Sequence, residues 1–487
     1  MVGVLQNLRP ERVWYYFEEI SQIPRCSENM EGITGYLLRF AREHCLEHRR
    51  DSASNILVKK PALPGLENAP VIVLQSHLDM VCEKHSGSRH DFARQPVKLK
   101  VKAGSVMAEG TTLGGDNGLG IAAMLAILEQ RSIPTGTLEC LFTVDEEIGL
   151  KGAFALDTSL LSGRLLINLD SEEVFSIYIG CAGGRDSKMT LPIRRRALAQ
   201  DECNLKLNIR GLRGGHSGAE IHLGRANAIK ILARILYHLK SQLPLRVVSF
   251  SGGDKLNAIP REATALIAVP EKDVGRVHEL FDTYCLALKK EYHAIETEIN
   301  ISIQDESHTD TPLDTGSSET FINFLSAIPH GVIAMSPVIE GLVETSTNLA
   351  SVHTSTEAVH FTSSHRSSVD SALNWVCDLH SAIAAMAGAE IQQNEGYPGW
   401  SPDESSRLLA YAKKAVKKVS GEEARVTAIH AGLECGVIKR KYEGMDAISI
   451  GPTIRGAHSP QEKVEIESVE TFWKILLQLL KEIYTKG

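Results

Sequence analysis

Apolar and polar positions follow two different rhythms along this chain, and the change between them divides it. Up to about Asp186, short continuous apolar runs alternate with amphipathic stretches of helical period. Glu11 to Ile23, Gly32 to His44 and Leu119 to Gln130 carry the helical spacing. Ala69 to Leu74, Leu138 to Val144 and Leu165 to Leu169 are apolar nearly throughout, as strands covered on both faces are. Strand and helix in alternation imply an α/β unit with a mostly parallel sheet.

From Cys203 the period changes to two. Cys203 to Arg210 alternates as a half-exposed strand does. A helix (Ala226 to Gln242), strands at Arg246 to Phe250 and Ala263 to Val269, a helix (Asp273 to Lys290) and a strand near Glu296 to Ile303 follow. A second round repeats the order: a helix near Glu319 to Ser326, strands near Gly341 to His353 and Glu357 to Ser363, a helix from Ser367 to Ala387 and a strand from Glu390 to Gln393. Beyond the turn cluster Gly396-Tyr-Pro-Gly399 the first texture returns, with helices at Ser405 to Val419 and Val469 to Tyr484 and a strand at Asp446 to Ile450. The expected architecture is a discontinuous α/β catalytic domain, residues 1–186 and 396–487, interrupted by an α+β lid domain, residues 187–395, built of two similar sub-units.

Composition narrows the function classes. A net charge of −8 and the lack of a basic run argue against nucleic-acid binding. No run approaches the ~18 apolar residues of a membrane span, and Met1 to Arg12 has no apolar core of a secretory leader. The nine cysteines are scattered with no Cys-x-x-Cys pair, which reads as reduced thiols in a cytoplasmic enzyme rather than a disulfide framework or a zinc cluster.

Candidate chemistry gathers at strand ends, where open α/β sheets place their sites. His77 and Asp79 end an apolar strand at i, i+2 spacing, which puts both on one face. Glu146 and Glu147 are adjacent acids after another apolar strand. Neighbours on extended backbone point oppositely, so one is free to hold a metal while the other handles protons. Alone, the pair reads better as a solvated acidic turn. Asp170 follows a third strand, and His458 lies in a loop after a fourth. The segment Gly114-Gly-Asp116-Asn-Gly-Leu-Gly120 opens a helix, but its glycine spacing fits neither the dinucleotide fingerprint nor the Walker loop, and Asp116 would repel a phosphate. Histidines and carboxylates in this mix suit two zinc-like ions sharing a carboxylate. Cys435 has no evident base beside it and reads as a buried thiol.

Together, His77-Leu-Asp79, Gly115-Asp116-Asn117-Gly118, Asp145-Glu146-Glu147, Asn168-Leu-Asp170-Ser-Glu-Glu173 and His458-Ser-Pro resemble the signature of the dinuclear-zinc aminopeptidase, carboxypeptidase and deacylase superfamily. Further stretches (Gly211-Leu-Arg-Gly-Gly-His216, Asn257-Ala-Ile-Pro-Arg-Glu262, Tyr397-Pro-Gly-Trp400, His430-Ala-Gly-Leu-Glu-Cys-Gly436) are similar to its aminoacyl-histidine dipeptidase branch. The resemblance implies that Asp116 bridges two zinc ions, with cobalt or manganese as substitutes. His77 and Asp170 would complete one site, and Glu147 and His458 the other. It implies a cis peptide after Asp116, Asp79 orienting His77, and Glu146 as general base and acid. His216 would stabilise the oxyanion, Asn257 and Arg366 would anchor the substrate carboxylate, and Gly432 and Glu434 would line the pocket. The implied reaction is hydrolysis of unblocked dipeptides, preferentially Xaa-His. Related enzymes with a short lid take the oxyanion histidine from a partner subunit, whereas a doubled lid would let one chain supply its own. The sequence leaves open a homodimer, an N-acyl-amino-acid deacylase or carboxypeptidase with the same metals, and a non-catalytic peptide-binding protein.

Overall fold

The apolar runs of the first part become the middle of an eight-stranded sheet. A computed structural model describes residues 3–307 and 310–484. The chain divides into two compact units: Met1–Cys181 with Trp400–Ala428 and Leu433–Gly487, and Ala182–Gly399 with Ile429–Gly432.

In the first unit the strand order is Glu47–Arg50, Ile56–Lys60, Leu138–Thr143, Ile72–His77, Leu165–Asn168, Asp446–Ser449, Ser176–Cys181, Arg425–Ile429. The four strands from Leu138–Thr143 to Asp446–Ser449 run parallel, and strands on either side of them pair antiparallel. Ile72–His77 and Leu138–Thr143 are buried at every position, as strands with covered faces must be. The helix Gly115–Glu129 is buried almost all round, and its first turn is broken by a kink at Asp116 and Asn117 before the apolar run. Parallel strands bring their C-terminal ends to one edge, so His77 and the segments after Thr143, Asn168 and Ser449 emerge together. A separate four-stranded antiparallel sheet (Ile454–Arg455, Lys463–Glu465, Ser105–Ala108, Leu99–Lys102) ties the loop carrying His458 to the chain that leads into that helix.

The second unit is built on one antiparallel sheet in the order Asn300–Glu306, Glu202–Arg210, Ala263–Pro270, Arg246–Gly252, Val343–Thr354, Ala358–Ser367, Gly183–Pro192, Glu390–Gln393, with Gly331–Met335 beside Val343–Thr354. Outward from the central pair, Arg246–Gly252 with Val343–Thr354, the two halves repeat the same topology. The doubling is thus one continuous sheet. The strand next to the outer edge of its second half, Gly183–Pro192, precedes the entire first half in sequence. The helices Ala228–Lys240, Thr315–Ala327 and Asp370–Ala387 share a core with the sheet that includes Leu207, Ile235, Phe250, Phe321 and Phe361.

The expectation of reduced thiols throughout is corrected at one pair. Cys26 runs beside Met80 in a parallel bridge, which brings it against Cys82 with Cα atoms 5.8 Å apart, and the two form a disulfide. The other seven cysteines are free. Among the described residues no helix is long and apolar enough to cross a membrane.

Candidate metal centre

Asp116 is the meeting point of two groups of donors. His77 Nε2 lies 3.0 Å from Asp116 Oδ1 and 3.2 Å from Asp170 Oδ1. His458 Nε2 lies 3.1 Å from Asp116 Oδ2 and 3.2 Å from Glu147 Oε2. Each oxygen of one carboxylate therefore faces a different imidazole with a different second acid. His77–Asp116–Asp170, Asp116–Glu147–His458 and His77–Glu146–Glu147 each offer donor atoms within 4.8 Å of one another. The peptide between Asp116 and Asn117 is cis. The Asn117 side chain donates to Asp170 and accepts from Ser76 Oγ at 2.8 Å.

The strand carrying the acid pair ends at Thr143, and Asp145 adopts a left-handed conformation (φ 53°). That turn removes the opposite-facing geometry of a strand and lets both Glu146 and Glu147 reach towards His77. Asp79 holds the turn. Its carboxylate accepts the Glu146 amide at 2.9 Å, the Glu147 amide at 3.1 Å and the Ser27 hydroxyl at 2.7 Å. His77 Nδ1 bonds the main-chain oxygen of Asp79 at 3.1 Å, with the carboxylate 3.5 Å away. That bond places the ring proton on Nδ1 and leaves Nε2 as the donor towards Asp116.

The electrostatics are those of too many anions in one place. Burial pushes Asp170 up to about 6 and Glu172 to about 8. Burial, reinforced by Asp170, Glu147 and Glu434, drives Glu146 well above the carboxylate range. Burial opposes the charge on Asp116, yet hydrogen bonds from both histidines hold its carboxyl far below that range. Hydrogen bonds to Asp116 and Glu147 carry His458 up to about 11. Such a cluster needs positive charge. Glu147 Oε1 is buried with no hydrogen-bond partner. Two imidazole nitrogens, three converging carboxylates and that spare oxygen fit divalent cations of the zinc type.

The second unit gathers the other expected residues. A Cβ at Gly218 would touch His216 Cε1 at 3.1 Å, Arg366 Nε at 3.1 Å and His430 O at 2.4 Å, so these groups surround one glycine. The Ser217 amide donates to Asn257 O at 2.8 Å. Gly432 packs on the Tyr397 ring, whose hydroxyl accepts from Arg366 Nη1 at 2.9 Å. His216 Nδ1 accepts the amides of Gly218 and Ala219, at 3.2 and 2.9 Å, which puts the ring proton on Nε2. Arg366 Nε and His430 Nδ1 are buried without a hydrogen-bond partner.

Residues 73–482 match the peptidase family M20/M25/M40. The chain belongs to that family. It is 41% identical over 482 residues to the cytosol non-specific dipeptidase of Escherichia coli (strain K12), covering 99% of each chain. The crystal structure of aminoacylhistidine dipeptidase from Vibrio alginolyticus superposes with a TM-score of 0.90 at 40% identity, covering 98% of this chain and 97% of that one. A Staphylococcus aureus tripeptidase, 17% identical with a TM-score of 0.57 over 98% of this chain and 100% of that one, shares the fold. The protein is therefore an M20 peptidase, with the catalytic-plus-lid α/β architecture of its relatives.

In this M20 peptidase Gln75 and Asn168 carry no sequence signal of their role, and His430 and Glu434 stand out only through the resembling stretch His430 to Gly436. Glu434, fully buried at the start of helix Glu434–Lys441, accepts from Gln75 Nε2 at 2.5 Å and Thr143 Oγ1 at 2.6 Å. Asn168 Nδ2 continues the chain to Gln75 Oε1 at 2.6 Å. Gln75 lies two residues before His77 on one strand, and Asn168 ends another strand two residues before Asp170, so the network underlies the centre. Burial pushes Glu434 up to about 7. His430 is buried in a glycine-bearing stretch, and that burial, next to Arg366 and His216, lowers it to about 3. The i, i+2 spacing on the apolar strands was the one available cue, and it marks Gln75 and Asn168 only as inward-facing.

Proposed function

We propose that this chain is a cytoplasmic dipeptidase that binds two zinc ions and hydrolyses unblocked dipeptides, Xaa-His among the preferred ones. The observation that carries the reading is the division of Asp116 between two donor groups, His77 with Asp170 and His458 with Glu147. When bound, two such ions lower the pKa of a water and polarise the scissile carbonyl. Cobalt and manganese tolerate the same donors.

The chain's own residues then move the proton. Glu146 lies beside His77 and Glu147 without being needed in either Asp116 group, and Asp79 fixes its main chain. It takes the proton of the attacking water and passes it to the leaving amine. Burial and neighbouring acids raise this carboxyl above the ordinary carboxylate range, which makes it a stronger proton acceptor. In the second unit, His216 with its proton on Nε2 donates to the developing oxyanion. Arg366, with an unpartnered Nε, and Asn257 hold the substrate carboxylate, and Gly432 lets the Tyr397 ring approach its backbone at the pocket wall.

The names of the relatives support a dipeptide substrate and differ on its breadth: one is aminoacylhistidine dipeptidase, the other a non-specific dipeptidase. The test is hydrolysis of Gly-His, carnosine and N-acetyl-histidine by the purified zinc-loaded protein and its Glu146→Gln variant, with metal content measured on both. Histidine released from the dipeptides alone, and a variant with full metal content but turnover lowered at least ~100-fold, is the expected result. Cleavage of N-acetyl-histidine in preference would make the enzyme a deacylase. Near-full activity of the variant would remove Glu146 from its role.

A further inference from the structure

Two buried charges near the centre bond main chain on two different segments, 78–79 and 113–116. Arg25 and Glu462 are each 2% exposed. Arg25 Nη1 donates to Leu78 O and Asp79 O, both at 3.0 Å, and Nη2 to Gly114 O at 2.5 Å. Glu462 Oε2 accepts the amides of Leu113 at 2.7 Å and Gly114 at 3.0 Å, while Oε1 accepts Gly115 at 2.8 Å and lies 3.4 Å from the Asp116 amide. The Gly114 peptide groups are thus gripped by a cation on the carbonyl side and an anion on the amide side.

The glycines make this grip fit. Gly114 has φ 71°, and a Cβ there would lie 2.5 Å from Arg25 Nη2 and 2.7 Å from Met80 Sδ. A Cβ on Gly115 would lie 2.7 Å from Val464 Cγ2 and 3.3 Å from Glu462 Oε1. The two groups also connect the loops of the centre. Asp79 O accepts from Arg25 and from His77 Nδ1 alike. Glu462 is four residues beyond His458 and adjoins the strand Lys463–Glu465, which is paired to Ser105–Ala108. A neutral side chain could tie one loop, but only a carboxylate offers acceptors to both pairs of amides at once.

We propose that Arg25 and Glu462 are positioning residues that fix the spacing of the two metal sites by clamping the segment 113–116, and so Asp116, between the His77 and His458 loops. The inference rests on the reading of Asp116 as the shared ligand. Neither residue is among the donor groups of the centre. Their effect passes through the backbone.

The test measures zinc affinity by competition with a chromogenic chelator for the full chain, Glu462→Gln, Arg25→Lys and the double variant. Folding of each is checked by circular dichroism and by thermal unfolding in excess chelator, and kcat and KM are measured on Gly-His. Each single variant is expected to bind zinc about 10- to 100-fold more weakly. Its kcat should fall while KM stays within about twofold, and the double variant should be little worse than the poorer single one, because both act on the same segment. Should one variant fail to fold, the other gives the same reading. Affinity per folded molecule within about twofold of the parent, with only the chelator-treated melting temperature lowered, would overturn the proposal and leave the pair a plain stabilising contact. A parent chain that binds fewer than two ions would instead overturn the metal reading on which it rests.

Discussion

Replacing Asp79 by Asn changes a single atom and should disable the centre out of proportion to that change. The Asp79 carboxylate, fully buried, accepts the amides of Glu146 and Glu147 and the Ser27 hydroxyl. Burial opposes its charge, but His77, Ser27 and the Glu146 amide bring it down to about 2, so it is ionised at neutral pH. Asparagine has one acceptor oxygen, and its NH2 must face one of the three donors. A buried donor left unmatched costs about 1–3 kcal/mol, and loss of charge assistance on the remaining bonds adds about 1 kcal/mol. Asp79→Asn should therefore lose about 2–4 kcal/mol of stability in urea with chelator present. The turn that carries Glu146 would also relax, and a shift of ~1 Å at a reacting group costs on the order of 100-fold in rate. The assay is kcat and KM on Gly-His with metal content, beside Ser27→Ala as a control that loses one bond. The expected result is kcat down about 100-fold for Asp79→Asn and only a few-fold for Ser27→Ala, with KM nearly unchanged. A kcat within a few-fold of the parent, despite the stability loss, would show that the Asp79 clamp does not place Glu146.

Arg366→Met should raise KM for Gly-His about 10- to 100-fold, the worth of one charged hydrogen bond, and leave Gly-His amide unaffected; an equal effect on both substrates would exclude the carboxylate-anchor role. Metal removal should lower the melting temperature reversibly, since zinc at a hundredfold excess over Kd adds about 2.7 kcal/mol per site; a melting temperature indifferent to chelator and zinc would contradict the centre. His330 is held neutral by burial and by Lys230, which lower its pKa to about 3. A folded value below the unfolded value near 6.5 contributes stability that is present above pH ~6.5 and is lost as pH falls towards 3. His330→Gln should flatten that acid limb in chelator-treated protein, and an unchanged slope between pH ~6.5 and ~4 would refute the assignment.

What could be read from the sequence, and what could not, follows from how each residue is partnered. Ile72–His77 and Leu138–Thr143 were legible because strands buried on both faces are apolar in succession. Glu47–Arg50 was not, because an edge strand with mostly exposed positions has no apolar face to betray it. Gly183–Pro192 escaped because it completes a half-sheet whose other members begin more than a hundred residues later in the chain. His77, Asp116, Glu147, Asp170 and His458 stood out as acids and histidines after apolar strands or in a glycine loop, and the family resemblance turned those weak cues into one set. Arg25 and Glu462 gave no cue, since backbone partners leave no pattern in side-chain identity. Glu434 was marked only by the family resemblance, and its partners Gln75 and Thr143 lie on strands hundreds of residues earlier in the chain. The Cys26–Cys82 pairing likewise depends on a parallel bridge that spacing alone does not show.

The central claim is that Asp116 divides itself between two ions and that Glu146 works beside them. Its most direct test is to titrate the metal-free protein with zinc while following release of histidine from Gly-His, in the parent chain and in Glu146→Gln. Activity in the parent is expected to reach its plateau only as the second ion binds. The variant should take up both ions with the parent's affinity and release almost no histidine. Full activity at or below one ion per chain, or histidine release by the variant at the parent's rate, would contradict it.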